Sequence, residues 1–355
     1  KIFRAMVMFD MVRLWGDFPV ITTVADDITS ENIDEVYPQY FPKQNTELEA
    51  YQQIEKDLLD AVLYAPDNTP GNKTLFSKSV ARTLLAKIYA EKPLRDYTKV
   101  IQYCDEVKAD GFDLVDDFSD LFGMNAAGTD AKMRNTKESI LEAQFTSGAG
   151  NWCTWMFGRD LVNWNNNFTW AKWVTPSRDL ISAFKQEGDE VRFKESIVYY
   201  DCNWSNYYPS DNYPFMYKCR SANSSIIKYR YADVLLLKAE ALIMQDTPDL
   251  EGAADIIDEV RDRAKLGALP TSVRSNKNVL LNALLKERRL ELAFEGQRWF
   301  DLVRLDKVEE VMNAVYAKDS GRKAQIYTFD KNSYRLPIPQ SVIDANDKIH
   351  QNPGY

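Results

Sequence analysis

The sequence predicts a mainly α-helical fold of tetratricopeptide-like helix pairs, joined to a loop-rich lobe that contains short β-strands. Apolar residues recur at steps of three and four along residues 47–109 and again along residues 229–295, which is typical of amphipathic helices. Residues 151–217 lack this period and are rich in Trp, Tyr, Asn, Gly and Pro. We therefore expect a helical scaffold that carries an irregular aromatic insertion.

The first two helices have recognisable ends. Residues 1–14 predict a helix that stops at Gly16. Thr46 and Glu49 have the spacing of a capping box, in which each side chain accepts a hydrogen bond from the other residue's backbone. We expect the second helix to begin there and to end before Pro66.

Two more helices complete this block. Ser77 or Ser79 is expected to cap the third helix, which Pro93 ends. The fourth ends by Gly111 and places Cys104 on its apolar face, where a buried thiol is expected. Short connections predict that these helices pack antiparallel to one another.

The lobe begins with an acidic, loop-like segment, residues 110–135, in which three apolar side chains are expected to enter the core: Phe118, Leu121 and Phe122. Residues 138–145 and 195–200 are short and apolar, which favours β-strands. The remainder of residues 151–217 predicts long ordered loops rather than helix. Loops of this length in a compact protein are usually functional.

Helices resume at Tyr229. Thr247 is expected to cap the next helix with Pro248 in its first turn, and that helix runs to Gly267. Two further helices are predicted over residues 279–295 and 298–304. Glutamates spaced by four predict an ion-pair network at this helix junction, formed by Glu287, Glu291 and Glu295 with Arg288, Arg289, Arg298 and Arg304 nearby.

Composition excludes several functions. The net charge of −9, without a cluster of Lys and Arg, argues against a nucleic-acid partner. His350 is the only histidine, which argues against His-based catalytic triads and most zinc sites. No run of about 18 apolar residues is available to span a membrane. The insertion contains three cysteines, Cys153, Cys202 and Cys219, and the sequence does not decide whether two of them form a disulfide.

Several motifs, spread in order across nearly the whole chain, carry a resemblance to a known family. They are RLWGDFP (13–19), KYRYADVLLLKAEAL (228–242), VRDRA (260–264), ERRLELAFEGQRWFDLVR (287–304), LPIP (336–339) and QNPGY (351–355). With these motifs the chain resembles the SusD/RagB family of outer-membrane nutrient-binding proteins. These motifs belong to the scaffold, so they predict the fold more strongly than the ligand.

The resemblance implies a right-handed superhelix of tetratricopeptide-like units within a single SusD-like domain over residues 1–355. Its scaffold would span about 1–109 and 225–310, the ligand-binding lobe about 110–224, and an extended C-terminal segment 311–355. Family members are attached by a lipidated N-terminal cysteine to the outer face of the outer membrane. They cover a SusC-like TonB-dependent barrel transporter. We expect any such anchor to lie upstream of Lys1, and membrane attachment to depend on it alone.

The aromatic insertion suits an oligosaccharide ligand. Sugar rings stack on aromatic faces, and their hydroxyl groups hydrogen-bond to amide and charged side chains. The predicted ligand-binding residues are Trp152, Trp155, Trp164, Asn165, Asn166, Asn167, Trp170, Trp204, Tyr207 and Tyr208. The competing interpretation is that these rings fill the core, and Trp173 is expected to do so. Asp211 and Asn212 are weaker polar candidates that also suit a turn.

Three alternatives to glycan binding stay open. An all-helical glycoside hydrolase would need a pair of catalytic carboxylates, and the candidates are Asp160, Asp179, Asp189, Asp201 and Asp211. No pair stands out, and Asp179 and Asp189 look like partners of Arg178 and Arg192 in the scaffold. A peptide-binding member of the same family, or a tetratricopeptide adaptor with its site on the concave helical face, would instead bind peptides. We predict no catalytic residue, no cofactor and no metal ion.

Overall fold

The computed structural model describes residues 1–146, 150, 175–202, 208–209, 211–318 and 328–355. In these residues, helices of seven residues or more are α1 (Ile2–Trp15), α2 (Glu47–Tyr64), α3 (Lys78–Ala90), α4 (Tyr97–Ala109), α5 (Arg178–Glu187), α6 (Glu190–Ser196), α7 (Tyr231–Met244), α8 (Leu250–Arg263), α9 (Lys277–Glu291), α10 (Arg298–Arg304) and α11 (Val308–Lys318). Shorter helical turns are Ile33–Val36, Tyr37–Tyr40, Lys92–Leu94, Ser119–Phe122, Thr271–Arg274, Lys331–Tyr334 and Gln340–Ala345. The strands are β1 (Ser139–Ala143), β2 (Ile197–Tyr200), β3 (Tyr213–Met216) and β4 (Ile226–Arg230).

The predicted ends of the first two helices are confirmed. Gly16 follows α1 with φ of 72°, a left-handed conformation that glycine adopts without steric cost. The Glu49 backbone N–H donates to the Thr46 hydroxyl at 3.3 Å, and the Thr46 N–H donates to the Glu49 carboxylate at 2.8 Å. The capping box therefore begins α2. Ser77 precedes α3, but its side chain makes no capping hydrogen bond.

Removing the capping hydroxyl provides a test of this local structure. Thr46→Ala is expected to lower the free energy of unfolding by about 1 kcal/mol, because the Glu49 N–H in the first turn of α2 loses the hydroxyl oxygen to which it donates. Ser77→Ala is the matched control and is expected to change stability by only a few tenths of a kcal/mol. Urea denaturation followed by circular dichroism measures both, and equal losses in the two variants would contradict the assignment.

Sequential helix packing forms one large apolar core. Helix α1 packs on α2, α2 on α3, α3 on α4 and α4 on α7, and both α8 and α9 pack on α7. The core includes the Cys104 side chain, as predicted, and burial raises the pKa of that thiol. Fully buried positions come from every one of these helices: Phe9, Ile54, Leu84, Val100, Leu236, Ile257 and Leu284. In the part of the chain that the structure describes, no helix is both long and apolar enough to cross a bilayer.

Two antiparallel strand pairs lie between α4 and α7 in the chain. Strand β1 pairs with β4, and β2 pairs with β3. Both predicted strands are present, but the prediction that helix resumes at Tyr229 is wrong. Leu141 of β1 pairs with Tyr229, and α7 begins only at Tyr231. Strand β1 supplies the backbone hydrogen-bond partners of this segment. The local helical spacing carries no information about them.

The prediction of loops throughout residues 151–217 is also wrong, because α5 and α6 lie within that stretch. Ser177 caps α5 by accepting from the Leu180 N–H at 3.1 Å, and Asp189 caps α6 by accepting from the Arg192 N–H at 3.1 Å. Helix α5 buries three apolar side chains at helical spacing: Leu180, Ile181 and Phe184. The amphipathic pattern of α5 covers only ten residues. The Gly, Asn and Trp residues around it favoured a loop prediction.

Smaller corrections concern the later helices. Asp249, not Thr247, caps α8 by accepting from the Gly252 N–H at 2.9 Å. Helix α9 ends at Glu291 rather than at residue 295. The segment predicted to be extended contains most of α11 and the turn Gln340–Ala345. That turn follows Pro339 directly, where a residue without an N–H is tolerated because the first helical N–H groups have no partner.

Candidate functional site

A buried network of charged side chains joins the lobe to the scaffold. Glu291 of α9 binds three arginines: Arg192 of α6 at 3.0 Å, Arg230 of β4 at 2.5 Å, and Arg263 of α8. All four side chains are less than 5% exposed. The predicted glutamates lie in a buried ion-pair network at this junction, but the predicted arginine partners are wrong. The arginines that bind Glu291 come from distant parts of the chain, which the local spacing could not indicate.

The network extends from α9 to both strand pairs. Arg230 also binds Glu138, just before β1, at 2.7 Å and Glu295 at 2.7 Å. Lys218, two residues after β3, donates to Glu295 at 2.6 Å and to the Glu291 carbonyl at 2.9 Å. Burial lowers the pKa of Lys218 to about 8, although the charge of Glu295 opposes this shift. These contacts fix both strand pairs against α9.

A second buried cluster lies within the scaffold and uses arginines predicted for the first. Arg288 of α9 binds Asp233 of α7 at 2.7 Å and Asp301 of α10 at 2.8 Å. Lys87 of α3 also binds Asp233 at 2.6 Å, and Arg304 binds Asp301. The cluster thereby connects four helices through charge-assisted hydrogen bonds.

A groove of about 450 Å³ lies beside α5. One wall is a single face of that helix, because its residues follow the helical spacing of three, four, seven and eight: Arg178, Ile181, Ser182, Lys185 and Gln186. The rest of the lining consists of Tyr199 of β2, followed by Tyr208, Pro209 and Asn212. The groove therefore combines aromatic rings with amide, hydroxyl and cationic side chains.

Tyr208 is held rigidly in this groove. Its hydroxyl donates to the Pro176 carbonyl oxygen at 2.7 Å. Its ring contacts the Tyr213 ring edge to face, with the centroids 5.6 Å apart, and the Arg178 guanidinium carbon lies 5.2 Å from the Tyr208 centroid. Tyr208 is half-buried, so part of its surface remains available to a ligand.

Tyr199 and Asn212, which also line the groove, are held by packing and by a backbone hydrogen bond. The Tyr199 ring is half-buried and packs at 6.3 Å from the Phe193 ring, and burial raises the pKa of its hydroxyl. Asn212 donates its backbone N–H to the Pro209 carbonyl at 3.1 Å, which forms the turn that the sequence suggested there. A wall held by packing and backbone hydrogen bonds loses little conformational entropy when a ligand binds.

Of the ligand-binding residues predicted from the sequence, Tyr208 lines this groove. The others lie outside the described residues: Trp152, Trp155, Trp164, Asn165, Asn166, Asn167, Trp170, Trp204 and Tyr207. Trp173, Asp160 and Cys153 also lie outside them, whereas Cys202 and Cys219 are buried. Tyr199 and the α5 residues were not predicted as ligand-binding residues, although the helical spacing of the α5 residues was an available signal.

Two of the candidate carboxylates are held in ion pairs with the scaffold. Asp189 binds Arg192 at 2.5 Å, as predicted, whereas Asp179 binds Arg289 of α9 at 2.6 Å rather than the predicted Arg178. Asp201 and Asp211 are exposed. Across the described ranges, no three His, Cys, Asp or Glu side chains gather in a way that could hold a metal ion.

Comparisons with known proteins match this fold. A family model described as "SusD family" matches residues 211–355, and one described as "Starch-binding associating with outer membrane" matches residues 2–90. SusD-like protein P2 of Formosa agariphila is 28% identical over an alignment that covers 99% of this chain and 72% of the relative. A SusD-like protein of Bacteroides ovatus is 26% identical, with 85% of this chain and 57% of the relative covered.

Solved structures agree with the described helical architecture. A SusD homologue of Bacteroides thetaiotaomicron superposes with a TM-score of 0.75 at 22% identity and covers 99% of this chain and 77% of that structure. A laminarin-binding SusD-like protein superposes with a TM-score of 0.72 at 24% identity, covering 100% and 77%. The two family models match both ends of the chain, and these structures share its mainly helical, tetratricopeptide-like fold. The chain belongs to the SusD/RagB family.

Proposed function

We propose that this protein binds glycans without cleaving them, and that the groove beside α5 is part of its binding site. The observation that carries this proposal is that Tyr199 and Tyr208 line one groove together with polar side chains of α5. Aromatic rings stack against the C–H faces of sugars, while Ser182, Gln186 and Asn212 offer hydrogen bonds to hydroxyl groups. Rings and polar groups that line one groove suit a sugar ligand.

The aromatic segment predicted from the sequence extends the proposed site. Tyr208 is four residues from Trp204 and adjacent to Tyr207, both of which are predicted platforms. The known relatives support a sugar ligand, since one structural relative is named as laminarin-binding and one matched family model as starch-binding. In this proposal the lobe, residues 110–224, binds the glycan, and the helices of residues 1–109 and 225–310 support it.

We propose further that the protein works at the outer face of the outer membrane and delivers oligosaccharide to a SusC-like TonB-dependent transporter. Membership of the family supports this role. Affinity purification of the native protein from solubilised outer membranes tests it. Co-purification of a TonB-dependent barrel is the expected result, and its absence under conditions that preserve other barrel complexes would contradict it.

Titration against a panel of polysaccharides by calorimetry and Trp fluorescence tests glycan binding. Saturable binding to at least one glycan is expected, with no binding to a peptide library. Tight peptide binding without glycan binding would favour the peptide-binding alternative. New reducing ends after incubation with a bound oligosaccharide would favour the glycoside hydrolase alternative.

Removing one aromatic side chain from the groove should weaken glycan binding. Tyr199→Ala is expected to reduce glycan affinity by about 1 to 3 kcal/mol, which is roughly 5- to 150-fold, because the groove loses one of its described aromatic rings. Tyr64→Ala is the matched control, since Tyr64 is 84% exposed at the end of α2 and remote from the groove in the chain. Calorimetry measures affinity, and thermal melting checks that both variants fold. Unchanged affinity in folded Tyr199→Ala would place the binding site elsewhere.

A further inference from the structure

A cleft of about 440 Å³, the β4 cleft, lies beside β4 and shares no lining residue with the groove beside α5. The residue before β4 and the first three residues of the strand all border it: Ser225, Ile226, Ile227 and Lys228. All four are half-buried. Successive side chains of a strand point to opposite faces, so a cleft on one face would be bordered by alternate residues. Because consecutive residues border this one, the β4 cleft follows the edge of the strand.

The edge of β4 that borders the cleft has no strand beside it in the part of the chain that the structure describes. Strand β4 pairs with β1, and the two form a two-stranded sheet. Alternate residues of an antiparallel pair direct their N–H and C=O groups away from the partner strand. Outside the pair of β1 and β4, no described backbone group is hydrogen-bonded to the main chain of residues 225–228. An edge of this kind is a template for another extended chain.

Apolar side chains from other parts of the chain also line the β4 cleft. They come from α1, from the turn before residue 123, from β3 and from the residues around the start of α10: Leu14, Phe122, Met216, Phe294 and Phe300. With these side chains around it, the edge of β4 lies inside a concave surface rather than on a projecting rim. The β4 edge of a second copy, recessed in the same way, could not reach it, whereas a single extended segment could.

The charged side chains that line the β4 cleft are already matched in ion pairs. Asp10 binds Arg13 at 2.5 Å and Lys228 at 2.7 Å, and Glu295 binds Lys218 at 2.6 Å. These five are all of the charged residues in the described lining. The ends of a free peptide carry an ammonium and a carboxylate group, and such charges are costly to desolvate without a partner. An uncharged segment from within a protein chain therefore fits this lining better than a free peptide does.

We propose that the β4 cleft binds an extended, uncharged internal segment of a partner protein, which adds to the edge of β4 as a further strand. The backbone of that segment exchanges hydrogen bonds with β4, which supplies affinity. Its alternate side chains contact the apolar lining at Leu14, Phe294 and Phe300, which supplies specificity. The inference concerns a site separate from the groove beside α5 and does not rest on glycan binding.

Synthetic hexapeptides test the proposed strand addition by calorimetry. The probes are three peptides in which Thr alternates with Val, Leu or Phe, each with an acetylated and an amidated end. Saturable binding of at least one is expected. Methylation of all its backbone N–H groups should weaken binding by about 10-fold or more, because the hydrogen bonds to β4 are lost. The same sequence with free, charged ends should bind at least about 5-fold more weakly.

A substitution and an exchange measurement locate the binding. Leu14→Glu places an unpaired charge in the apolar lining and is expected to weaken peptide binding by about 10-fold or more. Leu63→Glu is the matched control, since Leu63 is 68% exposed on α2 and does not line the cleft. Thermal melting checks that both variants fold. In the unchanged protein, peptide at about 90% saturation should slow amide hydrogen exchange about 10-fold at one or more of residues 226–228, because exchange then proceeds from the free fraction.

Three results would overturn the inference: no binding of any blocked hexapeptide, equal binding of the methylated and unmethylated forms, or equal effects of Leu14→Glu and Leu63→Glu in folded variants. Tighter binding of the peptide with free ends would also overturn it, because the occupant would then be a free peptide. If Leu14→Glu does not fold, the methylated peptide and the exchange of residues 226–228 decide the question in the unchanged protein.

Discussion

Glu291→Gln is expected to lower the free energy of unfolding by about 3 to 5 kcal/mol, the cost of removing one partner from a buried ion pair. The substitution preserves side-chain shape but removes the carboxylate charge that Arg192, Arg230 and Arg263 share. These arginines are almost fully buried, so water cannot replace the lost partner. Urea denaturation at pH 7, followed by circular dichroism, measures the loss.

Glu259→Gln is the matched control, because Glu259 is exposed on the neighbouring helix α8. It is expected to change stability by less than about 0.5 kcal/mol. Native-state hydrogen exchange adds a local measurement: in Glu291→Gln, protection should fall in both α6 and β4, since each supplies an arginine to Glu291. A loss of less than about 1 kcal/mol for Glu291→Gln would mean that the arginines find other partners and that Glu291 does not hold the lobe in place.

Acid is expected to unfold the protein between about pH 4 and pH 2. Burial alone would raise the pKa of Asp301, but the charges of Arg288 and Arg304 outweigh it and lower the pKa to about 2. Lys87 and Arg288 likewise lower the pKa of buried Asp233. An unfolded aspartate has a pKa of about 3.9, so the unfolded chain takes up these protons more readily than the folded one. The stabilisation is complete above about pH 4 and is lost as pH falls toward 2.

For Asp301 alone, this shift corresponds to about 2 to 3 kcal/mol of stability at neutral pH. Asp301→Asn should therefore be less stable at pH 7 and show a shallower decrease in stability below pH 4. Asp262→Asn, an exposed substitution on α8, should reproduce the pH profile of the unchanged protein. Urea denaturation at a series of pH values measures the three profiles. Parallel profiles for Asp301→Asn and the unchanged protein would contradict the role of this carboxylate.

Much of the scaffold could be predicted from local patterns. The capping box of Thr46 and Glu49 and the stop at Gly16 lie where the sequence predicted them, because each depends on residues within one helical turn. The buried position of Cys104 followed from helical spacing. The family resemblance rested on motifs of the same scaffold, and the two family models match it.

Errors occurred where partners distant in sequence decided the structure. Tyr229 continues a helical pattern, yet it joins β4 because β1 lies beside it, some 88 residues earlier at Leu141. Helix α5 is short, and it is held in place by Asp179 on Arg289 and by burial of Phe184. Neither interaction can be recognised from the residues immediately around it.

The candidate site was only partly predictable. Tyr208 was predicted as a ligand-binding residue and lines the groove, whereas Tyr199 and the polar face of α5 were missed. Composition pointed to the densest aromatic segment, because it carries no information about which side chains lie together in the folded chain. The residues predicted between 152 and 170 remain a prediction for the same site.

The sequence by itself determined the helical scaffold, the composition of the lobe and the glutamates of the junction, since short-range periodicity and residue type specify these. Only the tertiary structure decided which arginines bind Glu291, where β4 ends and which face of α5 lines the groove. Those outcomes depend on contacts between residues far apart in the chain, whose favourable energy appears only after the scaffold has packed.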